Sequence, residues 1–117
     1  GCAQLEQLPV FLEEKRKLFR RYKDAFANVS GVSLIVEPTD CRSNYWLQTL
    51  MLEKSTADQR DAILNATNEA GLQTRPVWKL LHRLVPYLEC PKMELPVAES
   101  LQERLINLPS SDYSIIS

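Results

Sequence analysis

Few residues of the sequence combine types and spacings that could do chemistry. The single histidine, His82, excludes a metal site built from several histidines and leaves no second imidazole to share acid and base roles. The internal glycines are Gly31 and Gly71, so no glycine-rich loop of the kind that cradles a phosphate is present. Ser110 and Ser111 lack the glycine-flanked turn that exposes a hydrolase serine. This pattern is typical of a binding or auxiliary domain and not of a complete enzyme.

Length and charge narrow the class of protein further. The chain has 117 residues, enough for one hydrophobic core, and we expect residues 1–117 to form a single domain. Its 14 Lys and Arg against 15 Asp and Glu lack the basic excess of nucleic-acid binders, so we expect no nucleic-acid partner. We expect neither a membrane span nor a signal peptide. The cysteines Cys2, Cys41 and Cys90 are odd in number and widely spaced, which favours reduced thiols in a cytoplasmic protein.

The first helix is predicted over residues 10–27, where apolar side chains recur at three- and four-residue steps. Pro9 has no amide hydrogen for a helix interior, so we expect it in the first turn, with residues 1–8 as a separate junction segment. A basic cluster on this helix contains Lys15, Arg16, Lys17, Arg20 and Arg21. Acidic residues alternate with these cations, which favours a solvated helix face over a phosphate partner.

Two strands are predicted next, at residues 32–36 and 44–52. The second strand carries apolar groups on both faces, which favours a central position in the sheet. Thr56 and Gln59 form a capping box that predicts a helix over residues 56–70, with Gly71 as its C-terminal stop.

The remaining elements are an extended segment at 72–77, a short helix at 79–85, a last helix at 97–107 and a tail at 110–117. Pro76 cannot donate to a strand ladder, so its segment is predicted to be an edge strand. Strands that follow one another without a helical crossover favour antiparallel pairing. The sequence therefore predicts an α+β fold, a two-layer sandwich of a small, mainly antiparallel sheet with helices packed on one face.

Several strings, in order along the whole chain, resemble one enzyme family. They are Gly1-Cys2-Ala3-Gln4-Leu5-Glu6-Gln7-Leu8, Lys15-Arg16 with Tyr22, Asn44-Tyr45-Trp46, Arg60-Asp61 with Ala70-Gly71, Thr74-Arg75-Pro76-Val77-Trp78, Ala98-Glu99, and Asn107-Leu108-Pro109-Ser110-Ser111. As a set they resemble the DegT/DnrJ/StrS sugar aminotransferases. Their residues most resemble the branch of the family that aminates keto-sugar nucleotides on the way to legionaminic-acid-type nonulosonates.

The resemblance implies a fold-type I, pyridoxal-phosphate-dependent architecture in which a large cofactor domain precedes a small C-terminal domain. This chain resembles the C-terminal small domain alone. The Schiff-base lysine, the aspartate at the pyridine nitrogen and the phosphate-binding loop would then belong to the domain that the chain lacks. We therefore expect no catalytic residue, no cofactor and no metal in this chain.

The resemblance also implies that the segment 75–87 faces a sugar-nucleotide cleft between the two domains. Arg75 suits a phosphate or carboxylate because its guanidinium forms two parallel hydrogen bonds. The alternative is a strand-edge arginine paired with a surface carboxylate. Trp78 is a candidate for stacking on a uracil ring, and packing against the sheet is the alternative.

Further candidates have weaker chemical signatures. His82 is a candidate hydrogen-bond partner for the sugar or phosphate of the nucleotide, and a structural histidine is the alternative. Asn44 and Tyr45 open the predicted central strand where loops would meet the cleft, although Tyr45 is also a candidate for the core. Ser110 and Ser111 contribute loop hydroxyls after the last helix.

Two functions remain open at this point. The first is the C-terminal domain of a sugar-nucleotide aminotransferase for surface polysaccharide and nonulosonate biosynthesis, inactive alone, with glutamate as the amino donor of the whole enzyme. The second is a stand-alone, non-catalytic module for protein association.

A small domain without its large partner exposes apolar surface, so we expect a homo-oligomer. The side chains expected at its interface are Leu5, Leu8, Tyr113, Ile115 and Ile116.

Overall fold

The computed structural model describes residues 1–111, which form three α-helices and four strands. In chain order these are α1 (Cys2–Phe26), β1 (Val32–Leu34), β2 (Gln48–Leu52), α2 (Arg60–Glu69), β3 (Arg75–Pro76), α3 (Pro96–Arg104) and β4 (Leu105–Leu108). Short 3₁₀ helices lie at Lys54–Gln59, Leu81–Arg83 and Val85–Tyr87. Within this part of the chain, no helix combines the length and apolar character that a membrane crossing requires.

The four strands form one antiparallel sheet in the order β1-β2-β4-β3. The predicted α+β fold is confirmed, and β2 is central as its two apolar faces predicted. Pro76 lies on the edge strand β3, where its missing amide hydrogen interrupts no inner ladder.

The core lies on one face of this sheet. Leu50, Leu52 and Ile106 form its fully buried centre. Phe26 of α1 packs against them, and so do two side chains of α2, Ile63 and Leu64. Burial of such side chains contributes most of the folding free energy of a small domain, so α1 and α2 are held to the sheet mainly through this cluster.

Helix α1 begins before the proline that was predicted to start it. The helix runs from Cys2 to Phe26 with Pro9 inside it, so the predicted boundary at Pro9 and the separate 1–8 segment are wrong as secondary structure. Proline removes one helical hydrogen bond, but the preceding residues include Ala3, Gln4 and Leu5, which favour helix strongly.

The last predicted helix is also wrong in its second half. Helix α3 ends at Arg104, and residues 105–108 form β4, which lies between β2 and β3. Leu101 and Leu105 are four residues apart and fit a helical stripe, but Leu105 has ψ 136° and is extended. Pairing with two neighbouring strands outweighs the local helical pattern here.

Local signals near α2 were only partly correct. The Thr56 hydroxyl donates to the carbonyl oxygens of Gly31 and Glu53 instead of capping a helix, so the capping box is wrong and α2 begins at Arg60. Gly71 has φ 82° and ends the helix region as predicted, because its left-handed backbone suits glycine. The segment predicted as a short helix at 79–85 forms two 3₁₀ turns instead.

Candidate functional site

A cleft of about 400 Å³ opens beside the inner strands of the sheet. Its walls come from the residues before β2, from β3 and the residues around it, and from the end of β4 and the segment that follows it. Trp46 and Trp78 lie in the cleft with their rings stacked, 6.3 Å between centroids and 29° between planes. These side chains are 63% and 69% exposed, so two large indole rings face solvent together.

Trp46 is held by its backbone on both sides. Its amide donates to the side-chain oxygen of Asn44 (3.0 Å), which closes a tight polar turn. Its carbonyl oxygen accepts a hydrogen bond from the Ser110 hydroxyl. The Lys15 ammonium of α1 donates in turn to the Ser110 hydroxyl (3.1 Å) and to the Ser110 carbonyl oxygen. Asn44 and Ser110 therefore act on the cleft by orienting Trp46.

Arg75 lies in the same cleft, on the edge strand and opposite Asn107 of β4. Within residues 1–111 its guanidinium forms no ion pair, whereas Arg16, Arg60 and Arg83 each contact a carboxylate. The alternative of a strand-edge arginine neutralised by a surface carboxylate is therefore not what the structure contains. An exposed, unneutralised guanidinium in one cleft with two aromatic rings suits an anionic ligand with a planar group.

Tyr45 lies outside this cleft and is buried, as the core alternative anticipated. Its ring stacks on Phe19 of α1, with 4.1 Å between centroids, and the Arg16 guanidinium lies 5.3 Å from its centroid. Tyr45 also has φ 46°, a left-handed conformation that is uncommon for a residue with a Cβ. The residue thus anchors the segment before β2 to α1.

An ion pair lies next to Tyr45. Both nitrogens at the end of Arg16 donate to Glu37, at 2.9 and 3.0 Å, and the same guanidinium donates to the Ser43 carbonyl oxygen (2.7 Å). The bonds from Arg16, followed by the Ser43 amide, lower the pKa of the Glu37 carboxyl to about 2. The Arg16 side chain is only 20% exposed, so the solvated-face interpretation of the basic cluster is wrong for this residue. Lys17 and Arg20 do form exposed pairs with Glu14 and Glu13.

His82 is brought to a different place. Its Nε2 lies 3.2 Å from a carboxylate oxygen of Glu99 on α3, and Arg83 contacts the same carboxylate. These two bonds lower the pKa of Glu99. His82 lines a separate, mainly apolar hollow of about 380 Å³ and does not line the tryptophan cleft. This arrangement corresponds to the structural alternative for His82.

A model of the DegT/DnrJ/EryC1/StrS aminotransferase family matches residues 1–113. The chain belongs to this family. GDP-perosamine synthase of Escherichia coli O157:H7 is 34% identical over 110 residues, which are 94% of this chain and 29% of the synthase. EpsN of Bacillus subtilis (strain 168) is 38% identical over 82 residues, 70% of this chain and 21% of EpsN.

Solved structures of the family have the same fold. The aminotransferase TlmJ from Streptoalloteichus hindustanus matches 94% of this chain with a TM-score of 0.83 and 27% sequence identity. The match covers 29% of the TlmJ chain. The chain therefore spans less than a third of the length of each of these relatives.

The family depends on pyridoxal phosphate, which requires a lysine amine and a cradle for its phosphate. None of the six lysines, all of which lie within residues 1–111, lines the cleft. Gly71 is the one glycine that lines it among these residues, and a Cβ built there would meet nothing within 4 Å. The described residues of this family member therefore do not fit pyridoxal phosphate as a group held by the cleft.

The described residues also contain no group of three His, Cys, Asp or Glu side chains that could hold a metal ion.

Of the five residues expected at the site, Arg75 and Trp78 line the cleft, Asn44 orients Trp46 in its wall, and Tyr45 and His82 lie elsewhere. Trp46 was missed as a site residue because the pattern of the predicted strand assigned it to a sheet face. The signal that could have found it is its position directly after an Asn-Tyr turn.

Proposed function

We propose that this chain is the C-terminal small domain of a sugar-nucleotide aminotransferase and that the tryptophan cleft receives the nucleotide part of the substrate. Family membership supports the reaction class. One observation carries the assignment of the cleft: Arg75, without a carboxylate partner among residues 1–111, lies in one cavity with the stacked pair Trp46 and Trp78.

The chemistry of a nucleoside diphosphate matches these groups. A planar base stacks favourably on an indole face, and such contacts contribute roughly 1–3 kcal/mol per base in single-stranded nucleic-acid sites. A guanidinium binds phosphate oxygens through paired, charge-assisted hydrogen bonds. In this proposal the tryptophans bind the base, Arg75 binds the diphosphate, and the keto-sugar extends toward the cofactor domain of the whole enzyme.

Pyridoxal phosphate supplies the amino-transfer chemistry of such an enzyme when it is bound, and in this proposal residues outside the chain hold it. The chain alone is then catalytically inactive, and its contribution is to bind and orient the substrate. The set of family motifs along the chain favours a substrate of the legionaminic-acid-type nonulosonate branch, with glutamate as amino donor of the whole enzyme.

Titration calorimetry with uridine diphosphate, uridine and inorganic phosphate tests the cleft assignment. We expect uridine diphosphate to bind more tightly than either part, and Arg75→Gln to weaken it roughly 10- to 100-fold, the usual effect of losing a charged hydrogen bond. Trp78→Ala should weaken the binding of uridine diphosphate and of uridine to a similar extent. Arg21→Gln, an exposed arginine on α1, is the matched control. Equal affinities for Arg75→Gln and the original chain would contradict the proposal.

A second experiment separates the domain from a stand-alone module. Sequencing the gene upstream of the codon for Gly1 should reveal a cofactor domain in the same reading frame. A stop codon in that frame directly upstream, together with no binding of uridine diphosphate, would favour the association module instead.

A further inference from the structure

We propose that Arg16 is a positioning residue for Trp46, acting through Glu37 and the loop that leads from Glu37 to Tyr45. Its importance for a substrate rests on the proposed function, because Trp46 is one wall of the cleft. The positioning itself depends only on contacts within this chain. Arg16 does not line the cleft, so its effect there must be indirect.

Arg16 ties both ends of this loop to α1. Its guanidinium binds both carboxylate oxygens of Glu37 at the start of the loop and the Ser43 carbonyl oxygen at its end. The carboxylate of Glu37 also accepts the Ser43 amide at 2.6 Å, so the loop is closed on itself. A two-pronged contact of this kind fixes orientation as well as distance, which a lysine at the same position would not do.

From Ser43 onward, local hydrogen bonds fix the backbone of the three residues that follow. The Ser43 hydroxyl accepts the Tyr45 amide at 3.0 Å, and the Asn44 side chain accepts the Trp46 amide at 3.0 Å. Between them Tyr45 holds φ at 46°. A residue with a Cβ keeps a left-handed backbone only where its surroundings hold it, and here that turn sets the direction in which Trp46 leaves the loop.

The surroundings that hold Tyr45 are again on α1. Its ring stacks on Phe19, and the Arg16 guanidinium also lies over it. The Tyr45 hydroxyl accepts the Glu37 amide at 3.4 Å. Removing the Arg16 guanidinium should therefore loosen the Tyr45 ring and both ends of the loop together.

The opposite side of Trp46 is held independently of Arg16. Ser110 donates to the Trp46 carbonyl oxygen and is itself bonded to Lys15. The buried amide of Gln48 donates to the Tyr45 carbonyl oxygen at 3.1 Å. Loss of Arg16 should thus loosen only the side of Trp46 that faces the loop, which changes the direction of the indole, while the strand that follows stays in the sheet.

The stacked tryptophans provide a direct optical readout. Two indole rings 6.3 Å apart should couple their electronic transitions, and we expect a paired positive and negative band in far-ultraviolet circular dichroism. Trp78→Phe, which removes one partner, assigns that band. The informative variants are Arg16→Met, Arg16→Lys and Glu37→Gln. Arg20→Met is the matched control, because Arg20 pairs with Glu13 on the exposed side of the same helix.

We expect Arg16→Met and Glu37→Gln to lose most of the paired band while their helical signal and cooperative unfolding persist, and Arg20→Met to retain it. Arg16→Met added to Glu37→Gln should cause a smaller further loss than Arg16→Met causes in the original chain, since the two variants remove the same ion pair. A band of unchanged intensity in folded Arg16→Met overturns the proposal. If that variant does not fold, Arg16→Lys and Glu37→Gln decide the question by the same criterion. Failure of the original chain to bind uridine diphosphate overturns the proposed function and leaves the optical result standing.

Discussion

Leu50 on β2 lies directly opposite Ile106 on β4, and both side chains are buried at the centre of the core. The pair joins the strand predicted most clearly from the sequence to the strand that was predicted as helix. Cross-strand pairs of this kind are the main units of sheet stabilisation. The two central strands therefore depend on each other for burial.

Truncating this contact should be costly. Ile106 is 0% exposed, so we expect Ile106→Ala to lower the free energy of unfolding by about 2–5 kcal/mol through lost burial and the cavity that remains. Val97→Ala, at a residue that is 70% exposed on α3, should change it by less than about 0.5 kcal/mol. Urea unfolding followed by circular dichroism measures both values. Similar small losses in both variants would argue against β4 as a central strand.

The Arg16–Glu37 pair predicts a pH dependence of stability. The pKa of the Glu37 carboxyl in the folded chain is about 2, below the ordinary value of 4.5. The pair therefore contributes its full stabilisation above about pH 4.5, and this stabilisation is lost as the pH falls toward 2. The groups facing Glu37 are Arg16, Arg42 and the Ser43 amide, all of which favour the carboxylate. Urea midpoints should therefore fall more steeply with acid in the original chain than in Glu37→Gln.

Glu13→Gln is the control for this pH dependence, because the Glu13 carboxylate is half exposed and pairs with Arg20 in solvent. Its profile should stay close to that of the original chain. Parallel profiles for Glu37→Gln and the original chain between pH 4.5 and 2 would show that the ion pair is not formed in solution.

The contact between His82 and Glu99 should hold the 3₁₀ turns against α3. His82→Leu keeps an apolar side chain in the hollow but removes the hydrogen bond, so the amides of residues 83 and 84 should exchange with solvent roughly two- to tenfold faster. Hydrogen exchange followed by mass spectrometry measures this rate. Lys79→Gln, at an exposed position just before the turns, should leave it unchanged, and equal rates in all three proteins would exclude a structural role for the contact.

The isolated chain should not react specifically with pyridoxal phosphate. No lysine of the chain lines the cleft, so incubation followed by borohydride reduction should label no single lysine and yield no amino-transfer activity. Peptide mapping detects the label. One uniquely labelled lysine, together with turnover of an amino donor, would show that this chain carries its own cofactor site.

Self-association is proposed through the first turns of α1. Leu5 and Leu8 are both exposed there, whereas Tyr113, Ile115 and Ile116 lie outside the described residues. We expect a dimer or larger oligomer in analytical ultracentrifugation, and its dissociation in Leu5→Glu. Gln4→Glu adds the same charge next to Leu5 and is the matched control. A monomeric original chain would exclude the proposal, and equal association of all three proteins would exclude these residues.

Local signals predicted those parts of the fold that depend on one or a few residues. The edge position of Pro76 follows from its missing donor, and the helix end at Gly71 follows from its positive φ. Strand β4 could not be predicted in this way, because Leu101 and Leu105 satisfy a helical period equally well. Only pairing with the residues of β2 and β3, which lie far earlier in the chain, decides between the two structures.

The candidate site was predictable to the same extent. Arg75 and Trp78 were identified from their own chemistry and a family resemblance. Their pairing with Trp46 depends on how β4 separates β2 from β3, which the sequence pattern concealed. Tyr45 belongs to the core because α1 supplies Phe19 as its stacking partner, a contact between distant parts of the chain.

The strand order has a consequence for how the protein is made. The ribosome delivers β4 last of the four strands, yet β4 occupies an inner place between β2 and β3. Until residues 105–108 leave the exit tunnel, β2 has an open inner edge and β3 has no strand to join. Nascent chains that stop before Leu105 should therefore remain protease-sensitive and prone to aggregation through that edge. Folding of this sheet therefore waits for residues 105–108, the last of its described strands in chain order.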